Sequence, residues 1–183
     1  MKKFVFCILI CAAFVANAQV QTEYYPNGKK SSEGNYTIGG NPGVVMASDG
    51  SSRPAPNQKK EGLWTYWYDS GVKSSEENYN NGVTSGIWKS WYPSGLKSAE
   101  INYTSGNATF WYDNGQKQSE GQMAENRVFT GKWVGWHENG QKSFEGNYDF
   151  GKKEGDWMWF DETGKAVSKQ TFKSDQLIAT QKY

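Results

Sequence analysis

Short runs of apolar residues alternate with polar residues from residue 20 onward, and turn residues separate the runs. A representative stretch, residues 62–86, reads Gly-Leu-Trp-Thr-Tyr-Trp-Tyr, then Asp-Ser-Gly, then Val-Lys-Ser-Ser-Glu-Glu-Asn-Tyr, then Asn-Asn-Gly-Val-Thr-Ser-Gly. Two aromatic-bearing runs on either side of a glycine-containing turn are typical of a β-hairpin. No segment after residue 18 shows the 3.6-residue apolar period of a helix. The pattern predicts an all-β protein with essentially no helix.

This hairpin pattern occurs six times along the chain. The copies begin at Tyr24, Trp67, Trp91, Trp111, Trp136 and Phe160, and their turn glycines are Gly28, Gly71, Gly95, Gly115, Gly140 and Gly164. Glycine can supply the positive φ that a tight hairpin turn needs. Repeats spaced by about 20 to 25 residues form linear arrays in which each unit packs against its neighbours. We therefore expect an elongated antiparallel β-meander of about six stacked hairpins.

Strand alternation predicts which side chains of the second strand share a face. In the copy at residues 73–79, Lys73, Ser75, Glu77 and Tyr79 are expected on one face, and Ser74, Glu76 and Asn78 on the other. A lysine precedes a glutamate by three residues at Lys30, Lys73, Lys97, Lys117 and Lys142. Such a spacing would place the two charges on opposite faces, so each is expected to pair with an adjacent strand.

The place of Glu77 is taken by glycine in three other copies, at Gly34, Gly121 and Gly146. A strand glycine lets a neighbouring ring lie across the bare backbone. We therefore predict aromatic-over-glycine packing at these three positions.

Two stretches depart from the regular repeat. Residues 37–61 form an insertion rich in Gly, Ser, Pro and Asn, which predicts a long surface loop or a loose extra hairpin. The third linker, residues 104–110, is shortened and lacks the usual Gly-x-Trp. We expect the sheet to bend or change register there.

The first eighteen residues have the features of an export signal. Lys2 and Lys3 precede an apolar run, and Ala16-Asn17-Ala18 offers a cleavage site. The expected product is one repeat domain, residues 19–183, exported to the periplasm, the outer surface or the medium. Both cysteines, Cys7 and Cys11, fall in the removed segment; lipidation at Cys11 is disfavoured because Ile10, rather than a small residue, precedes it.

Charge argues against some partner classes. The chain has 20 basic and 19 acidic residues, interleaved along its length. There is no basic field for nucleic acid or anionic lipid. No transmembrane segment is expected, because the apolar run near the N-terminus is too short to span a bilayer.

These residues resemble the MORN-repeat variant, in the form found in bacterial YwqK-type antitoxins. The stretch at residues 86–100, Gly-Ile-Trp-Lys-Ser-Trp-Tyr-Pro-Ser-Gly-Leu-Lys-Ser-Ala-Glu, carries the resemblance, and residues 131–145 and 155–169 repeat it. The resemblance implies a single-layer twisted sheet and an interaction scaffold, with no shared catalytic residue set. An export signal departs from a cytosolic antitoxin.

Candidate catalytic residues are few. His137, the single histidine, stands where the other copies have Tyr25, Tyr68, Tyr92 and Tyr112, which indicates an aromatic replacement. Glu76-Glu77 and Asp161-Glu162 are paired carboxylates of the kind that glycoside hydrolysis needs, but a solvated strand face or turn explains them better. Asn41 and Asp49 offer too few carboxylates for calcium. We expect a protein that is not an enzyme and needs no metal or cofactor.

A binding role is the remaining hypothesis, and an aromatic ladder is its candidate site. The ladder residues are Trp67, Trp91, Trp111 and Trp136 with Tyr68, Tyr92 and Tyr112. The rings serve either as a binding platform or as the packing spine of the array. We expect an exported scaffold that binds a protein, with an envelope glycan or lipid headgroup, or an antitoxin-like inhibitor role, as alternatives. Open sheet edges also make self-association possible.

Overall fold

A computed structural model describes residues 20–37, 58–124 and 127–183 in full, and residues 44–46 and 52–54 as backbone. The predicted export signal with both cysteines, and the positions Asn41 and Asp49, lie outside the described residues.

The described residues form strands, and none of them lies in an α-helix, which confirms the all-β prediction. The strands are β1 (Val20–Tyr24), β2 (Lys30–Tyr36), β3 (Val44–Met46), β4 (Ser52–Pro54), β5 (Lys60–Trp67), β6 (Lys73–Asn80), β7 (Val83–Trp91), β8 (Lys97–Asn102), β9 (Asn107–Trp111), β10 (Lys117–Ala124), β11 (Val128–Trp136), β12 (Lys142–Asp149), β13 (Lys152–Phe160), β14 (Ala166–Lys173) and β15 (Gln176–Lys182). Within the described part of the chain, no helix could cross a lipid bilayer.

Thirteen of these strands build one antiparallel sheet in the order β1-β2-β5-β6-β7-β8-β9-β10-β11-β12-β13-β14-β15. Strands that follow one another in the chain are neighbours in the sheet, apart from the step across the insertion. The predicted meander of stacked hairpins is therefore confirmed. Each hairpin packs only on the hairpins before and after it, so the sheet is a linear array with two broad faces.

The hairpin turns use the repeated glycines as predicted. In the second copy the N–H of Gly71 donates to the carbonyl of Tyr68 at 2.8 Å, and the N–H of Tyr68 donates to the carbonyl of Val72 at 2.8 Å. Gly71 has a φ of 91°, a left-handed conformation that other residues adopt only at a cost. The same pair of hydrogen bonds closes all six turns.

A single-residue bulge follows every turn and changes the face of the lysine. Tyr66 pairs with Ser75 and Trp67 pairs with Lys73, so Ser74 is an extra residue with no partner. Because the bulge interrupts the alternation, Lys73 lies on the face of Glu76. The prediction that Lys73 shares a face with Ser75, Glu77 and Tyr79 was wrong for this residue.

The prediction that these lysines and glutamates pair with adjacent strands was wrong for the same reason, except that Glu145 also binds Lys132 of the adjacent strand β11 at 3.2 Å. Each lysine binds the glutamate three residues later on its own strand. The five pairs are Lys30–Glu33, Lys73–Glu76, Lys97–Glu100 (2.9 Å), Lys117–Glu120 (2.7 Å) and Lys142–Glu145 (3.3 Å). Simple alternation misses them because it does not anticipate the bulge.

A second irregularity occurs between hairpins. Glu76 pairs with Lys89 and Asn78 pairs with Ser85, so β7 has two extra residues in this interval. Gly86, with a φ of 62°, lies in this bulge. The same bulge occurs in β5, β11 and β13, and the exposed residues at the apex of the four bulges are Leu63, Ile87, Lys132 and Asp156. The shortened linker before β9 lacks it: β8 and β9 pair without a shift. The pairing of β8 with β9 therefore shows no change of register, and the predicted alternative, a bend of the sheet at this linker, stays a prediction.

The insertion at residues 37–61 interrupts the chain without interrupting the sheet. β3 and β4 form a two-stranded sheet of their own, which agrees with the predicted extra hairpin. At the base of the insertion, the N–H of Thr37 donates to the carbonyl of Lys59 at 2.7 Å. β2 then pairs with β5 in the usual register, so the main sheet continues across the insertion.

The core is a row of tryptophans on one face of the sheet. Trp64, Trp133 and Trp157 are the largest fully buried side chains among the described residues. Their rings lie across Gly34, Gly121 and Gly146, where an added Cβ would come within 2.2–2.4 Å of ring carbons. The predicted aromatic-over-glycine packing is confirmed. The copy with the short linker has a large residue at the glycine position and a small one at the tryptophan position: buried Ile101 faces buried Ala108.

Candidate functional site

The two faces of the sheet carry different chemistry. We call the face that contains Trp64, Trp88, Trp133 and Trp157 the indole face, and the face that contains Glu33, Glu76, Glu100, Glu120 and Glu145 the lysine–glutamate face. Residues paired directly across neighbouring strands share a face, which is why each row continues through the array.

The predicted aromatic ladder lies on the lysine–glutamate face. Trp67, Trp91, Trp111 and Trp136 are each the last residue of a strand, and all four are half-buried. A lysine of the preceding hairpin covers each ring: the Lys73 Nζ lies 5.2 Å from the centre of the Trp91 ring, and Lys30, Lys97 and Lys117 cover the other three rings at 5.1–5.8 Å. Each of these lysines also binds a glutamate, so its position over the ring is held from both sides.

The ladder tyrosines join consecutive hairpins. The Tyr68 hydroxyl donates to the carbonyl of Trp91 at 2.7 Å. Tyr25, Tyr92 and Tyr112 make the same bond to Trp67, Trp111 and Trp136 at 2.6–2.8 Å. Each bond reaches forward to the next copy and satisfies a carbonyl at the end of its strand. These contacts give the predicted ladder a packing role, and its role in binding stays a prediction.

His137 has the contact expected of an aromatic replacement. Its Nε2 lies 2.9 Å from the carbonyl of Phe160, in place of the tyrosine hydroxyl of the other copies. In the sixth copy, Asp161 takes this position and turns inward. Its carboxylate accepts the N–H groups of Thr163 and Lys165 at 2.9 and 3.0 Å and the Thr163 hydroxyl at 2.6 Å. These bonds, the hydroxyl first, hold the pKa of Asp161 below its ordinary value.

The paired glutamates Glu76 and Glu77 lie on opposite faces of β6. Glu76 binds Lys73 on the lysine–glutamate face. Glu77 lies on the indole face and accepts hydrogen bonds from the Tyr79 hydroxyl and, at 3.2 Å, from the Trp88 indole N–H. Burial, followed by the bond to Glu77, raises the pKa of Tyr79. Across the described ranges, no three His, Cys, Asp or Glu side chains meet in a metal-binding group.

The indole face contains a row of aromatic cages that the sequence reasoning missed. Each cage consists of a core tryptophan, the residue two positions later, and the residue eight positions after the turn glycine. In the first cage these are Trp64, Tyr66 and Tyr79, and in the last cage Trp157, Trp159 and Phe172. The three rings of each of these two cages lie on two strands that pair without a shift between them, so strand alternation places them on one face.

A lysine lies in the centre of the first and last cages. The Lys60 Nζ is 4.6, 4.9 and 5.1 Å from the ring centres of Trp64, Tyr66 and Tyr79. The Lys153 Nζ is 4.9, 4.9 and 5.1 Å from those of Trp157, Trp159 and Phe172. Both lysines precede the core tryptophan by four residues, a spacing that could have identified the cages from sequence.

The two middle cages have two rings of their own, because the residues two positions after their tryptophans are Ser90 and Gly135, and they are filled differently. Phe129 precedes Trp133 by four residues and stacks on it at 4.1 Å, so an aromatic ring replaces the lysine. In the cage of Trp88, the corresponding residue is Thr84, and the Arg127 guanidinium instead lies 5.2 Å from the Trp88 ring centre. Arg127 also donates to the hydroxyl of Tyr103 at 3.0 Å.

The C-terminal half of the indole face is the more apolar half. Half-buried Phe110, Phe129, Phe144, Tyr148, Trp159 and Phe172 surround the two buried tryptophans Trp133 and Trp157. Neighbouring ring centres lie 4.1 to 6.5 Å apart, in stacked, tilted and edge-on arrangements. This continuous aromatic surface is the best candidate functional site.

Comparison with known proteins agrees with this architecture. The family described as the MORN repeat variant matches residues 20–37, 60–81, 104–124, 129–149 and 153–174, more than half of the chain. Residues 82–103 are outside the match although they form the same hairpin, β7–β8. No curated protein matches. The hairpins, their turns and their family match together show that this chain belongs to the MORN repeat variant family.

Proposed function

We propose that this protein is an exported, non-catalytic scaffold that binds a protein partner through the indole face. Proteins built from MORN repeats commonly serve as interaction modules for proteins or membrane lipids. The observation that carries the choice of face is the row of half-buried rings from Phe110 to Phe172. Aromatic residues are enriched at the centres of protein interfaces, and connected apolar surfaces on monomers mark binding sites.

The lysine–glutamate face is the weaker candidate. Its tryptophans are covered by lysines that are themselves paired with glutamates, so a ligand would have to displace both contacts to reach the rings. Its surface is therefore closer to a solvated ion-pair network than to a binding platform. The same covering weakens the glycan and lipid alternatives, which depend on exposed rungs of the predicted ladder.

The export signal is part of the proposal, because its residues lie outside those described. Lys2, Lys3, the apolar run and Ala16-Asn17-Ala18 support it. The absence of cysteine from residues 19–183 fits an oxidising compartment, where a free thiol would be a liability. Cell fractionation with N-terminal sequencing of the processed protein tests this part: export predicts a new N-terminus near Gln19.

Photo-crosslinking tests the binding face. Phe110 and Thr109 are neighbours on β9, and they lie on the indole face and the lysine–glutamate face respectively. A benzophenone side chain is introduced at one or the other position in the full chain in its native cells. We expect a protein adduct of defined mass from position 110 and none from position 109. An adduct from position 109 alone, or from neither position, would contradict the proposal.

A further inference from the structure

The cations of the two faces differ in their partners. On the lysine–glutamate face, each of the five lysines that cover or precede a ladder ring binds a glutamate. On the indole face, Lys60, Arg127 and Lys153 lie over rings, and among the described residues no carboxylate lies within ion-pair distance of them. The indole face therefore presents positive charges that are held in place by aromatic rings and, for Lys60 and Arg127, by hydrogen bonds to the hydroxyls of Tyr66 and Tyr103.

The carboxylates of the indole face offset the positive charges of its N-terminal half more than the charge of Lys153. Glu77 accepts bonds from Tyr79 and Trp88, the rings over which Lys60 and Arg127 lie, so it offsets the charge of the N-terminal half. Glu23 accepts a bond from Ser32 near the first strands. Lys153 lies in the apolar C-terminal half, far along the array from both. Asp175 accepts the backbone N–H of Lys153 at 2.7 Å, but its carboxylate is not within ion-pair distance of the Lys153 ammonium. Among the cations over the indole rings, Lys153 is therefore the most available to an incoming anion.

Lys153 is also positioned before any ligand arrives. Three rings within 5.1 Å restrict the rotamers of its side chain, and it is half-buried. A long side chain that is already ordered loses less entropy when it binds. A carboxylate bound there would gain a charge-assisted bond in partly desolvated surroundings, beside rings that accept apolar neighbours of the carboxylate.

From this geometry we infer that the partner bound by the indole face is an acidic protein segment in which carboxylates alternate with apolar side chains, and that Lys153 anchors one of those carboxylates. This inference rests on the proposed function. The apolar residues of the segment pack on Phe144, Trp159 and Phe172, while the carboxylate meets the Lys153 ammonium.

Lys60 supplies a second, weaker anchor at the other end of the face, because Glu77 offsets part of its charge. β5 and β13 are eight steps apart in the order of the sheet. At roughly 4.8 Å per step, the two lysines are about 38 Å apart on a flat sheet and closer on a coiled one. An extended segment of about 12 residues, at roughly 3.3 Å per residue, would reach from one anchor to the other across the strands.

A matched pair of labelled peptides tests the inference. In the first peptide glutamates alternate with Leu, Phe and Gly, and in the second every glutamate is replaced by glutamine. Fluorescence anisotropy is recorded with the full chain at low and physiological salt. We expect the glutamate peptide to bind about tenfold more tightly than the glutamine peptide, with an affinity that falls as salt rises. Equal binding of the two peptides would overturn the inference.

Variants of the chain locate the anchor. K153Q should abolish most of the difference between the two peptides, K153R should keep it, and K142Q, on the lysine–glutamate face, should leave it unchanged. K153E should reverse the preference toward a peptide in which lysine replaces glutamate. The unfolding midpoint of each variant shows that the fold is intact. An equal loss in K142Q and K153Q would refute the role of Lys153.

Two further outcomes separate this inference from the proposed function. If position 110 captures a protein and K153Q does not weaken the capture, the indole face binds protein but the acidic segment is refuted. If the glutamate peptide does not bind and vesicles of phosphatidylglycerol do, the partner is an anionic membrane surface, and both proposals fail.

Discussion

The replacement of Gly146 by alanine is the most direct test of how the core is built. An added Cβ at this position would lie 2.2 Å from Cδ2 of Trp157, whereas carbon atoms normally approach to about 3.5–4.0 Å. The ring would have to move by more than 1 Å, roughly the difference between these distances. It is 1% exposed and packs against Phe144, Tyr148, Trp159 and Phe172, so little space is available.

We expect G146A to lower the free energy of unfolding by about 2–4 kcal/mol, the cost of overpacking a core with no room to relax. For a chain of this size, such a change lowers the melting temperature by about 4–16 °C. The measurement is urea unfolding followed by tryptophan fluorescence, with circular dichroism as a second probe. Q170A is the matched control, because Gln170 has the same position in the last hairpin but faces Thr180, rather than a tryptophan, on the following strand; its change should stay within about 0.5 kcal/mol.

A double-mutant cycle decides whether the ring is the cause. W157A alone should cost about 3–5 kcal/mol, and G146A should add almost nothing in a chain that already carries W157A. The natural pair Ile101 and Ala108 shows that a large residue at the glycine position is accepted when the tryptophan is absent. If G146A and W157A were simply additive, or if G146A behaved like Q170A, the reasoning would be refuted.

Three further changes test the contacts between hairpins. Y68F removes the hydroxyl bond to Trp91 and should cost about 1 kcal/mol in urea unfolding, whereas an unchanged midpoint would show that the bond adds nothing. H137A should cost about 1–2 kcal/mol and H137Y less than about 0.5 kcal/mol, because tyrosine restores a donor to the Phe160 carbonyl; a larger loss in H137Y would argue against equivalence of the two side chains. Burial alone would raise the pKa of Glu145, but hydrogen bonds from Lys132 and Lys142 outweigh burial and lower this pKa below its ordinary value of 4.5. The stability that Glu145 contributes is therefore fully present above pH 4.5. It is lost as the pH falls through the lower pKa of the folded state. E145Q should therefore be less stable than the parent by up to about 1 kcal/mol at pH 7 and equally stable near pH 3, which unfolding at the two pH values measures.

The architecture could be predicted from the sequence because turn and packing residues recur at fixed spacing. Gly71 and its five equivalents identify the turns, and the glycine at Gly34, Gly121 and Gly146 identifies where rings cross the backbone. Both features depend on local backbone chemistry, which is the same in every copy. The missing Gly-x-Trp of the shortened linker also explains why β8 and β9 pair without the bulge of the other linkers.

The faces were harder to predict, since one extra residue per strand reverses the alternation. Ser74 and its equivalents look like ordinary strand residues, so the ion pair of Lys73 and Glu76 was assigned to opposite faces. The cages were missed although their rings lie on two strands that pair without a shift. Only the four-residue spacing of Lys60 from Trp64 and of Lys153 from Trp157 marks their lysines in the sequence.

The forward-reaching tyrosines give the array a direction. Copies one to four each reach the next copy through a hydroxyl, and copy five does so through His137, whereas Asp161 in copy six binds only its own turn. The series of side-chain bonds between copies therefore ends at Asp161. Duplicating an internal copy should preserve every tyrosine or histidine bond between neighbouring copies. A copy added after the sixth would lack such a bond, because Asp161 has no hydroxyl to donate to it. The side chain at this one position therefore favours lengthening the array by internal duplication.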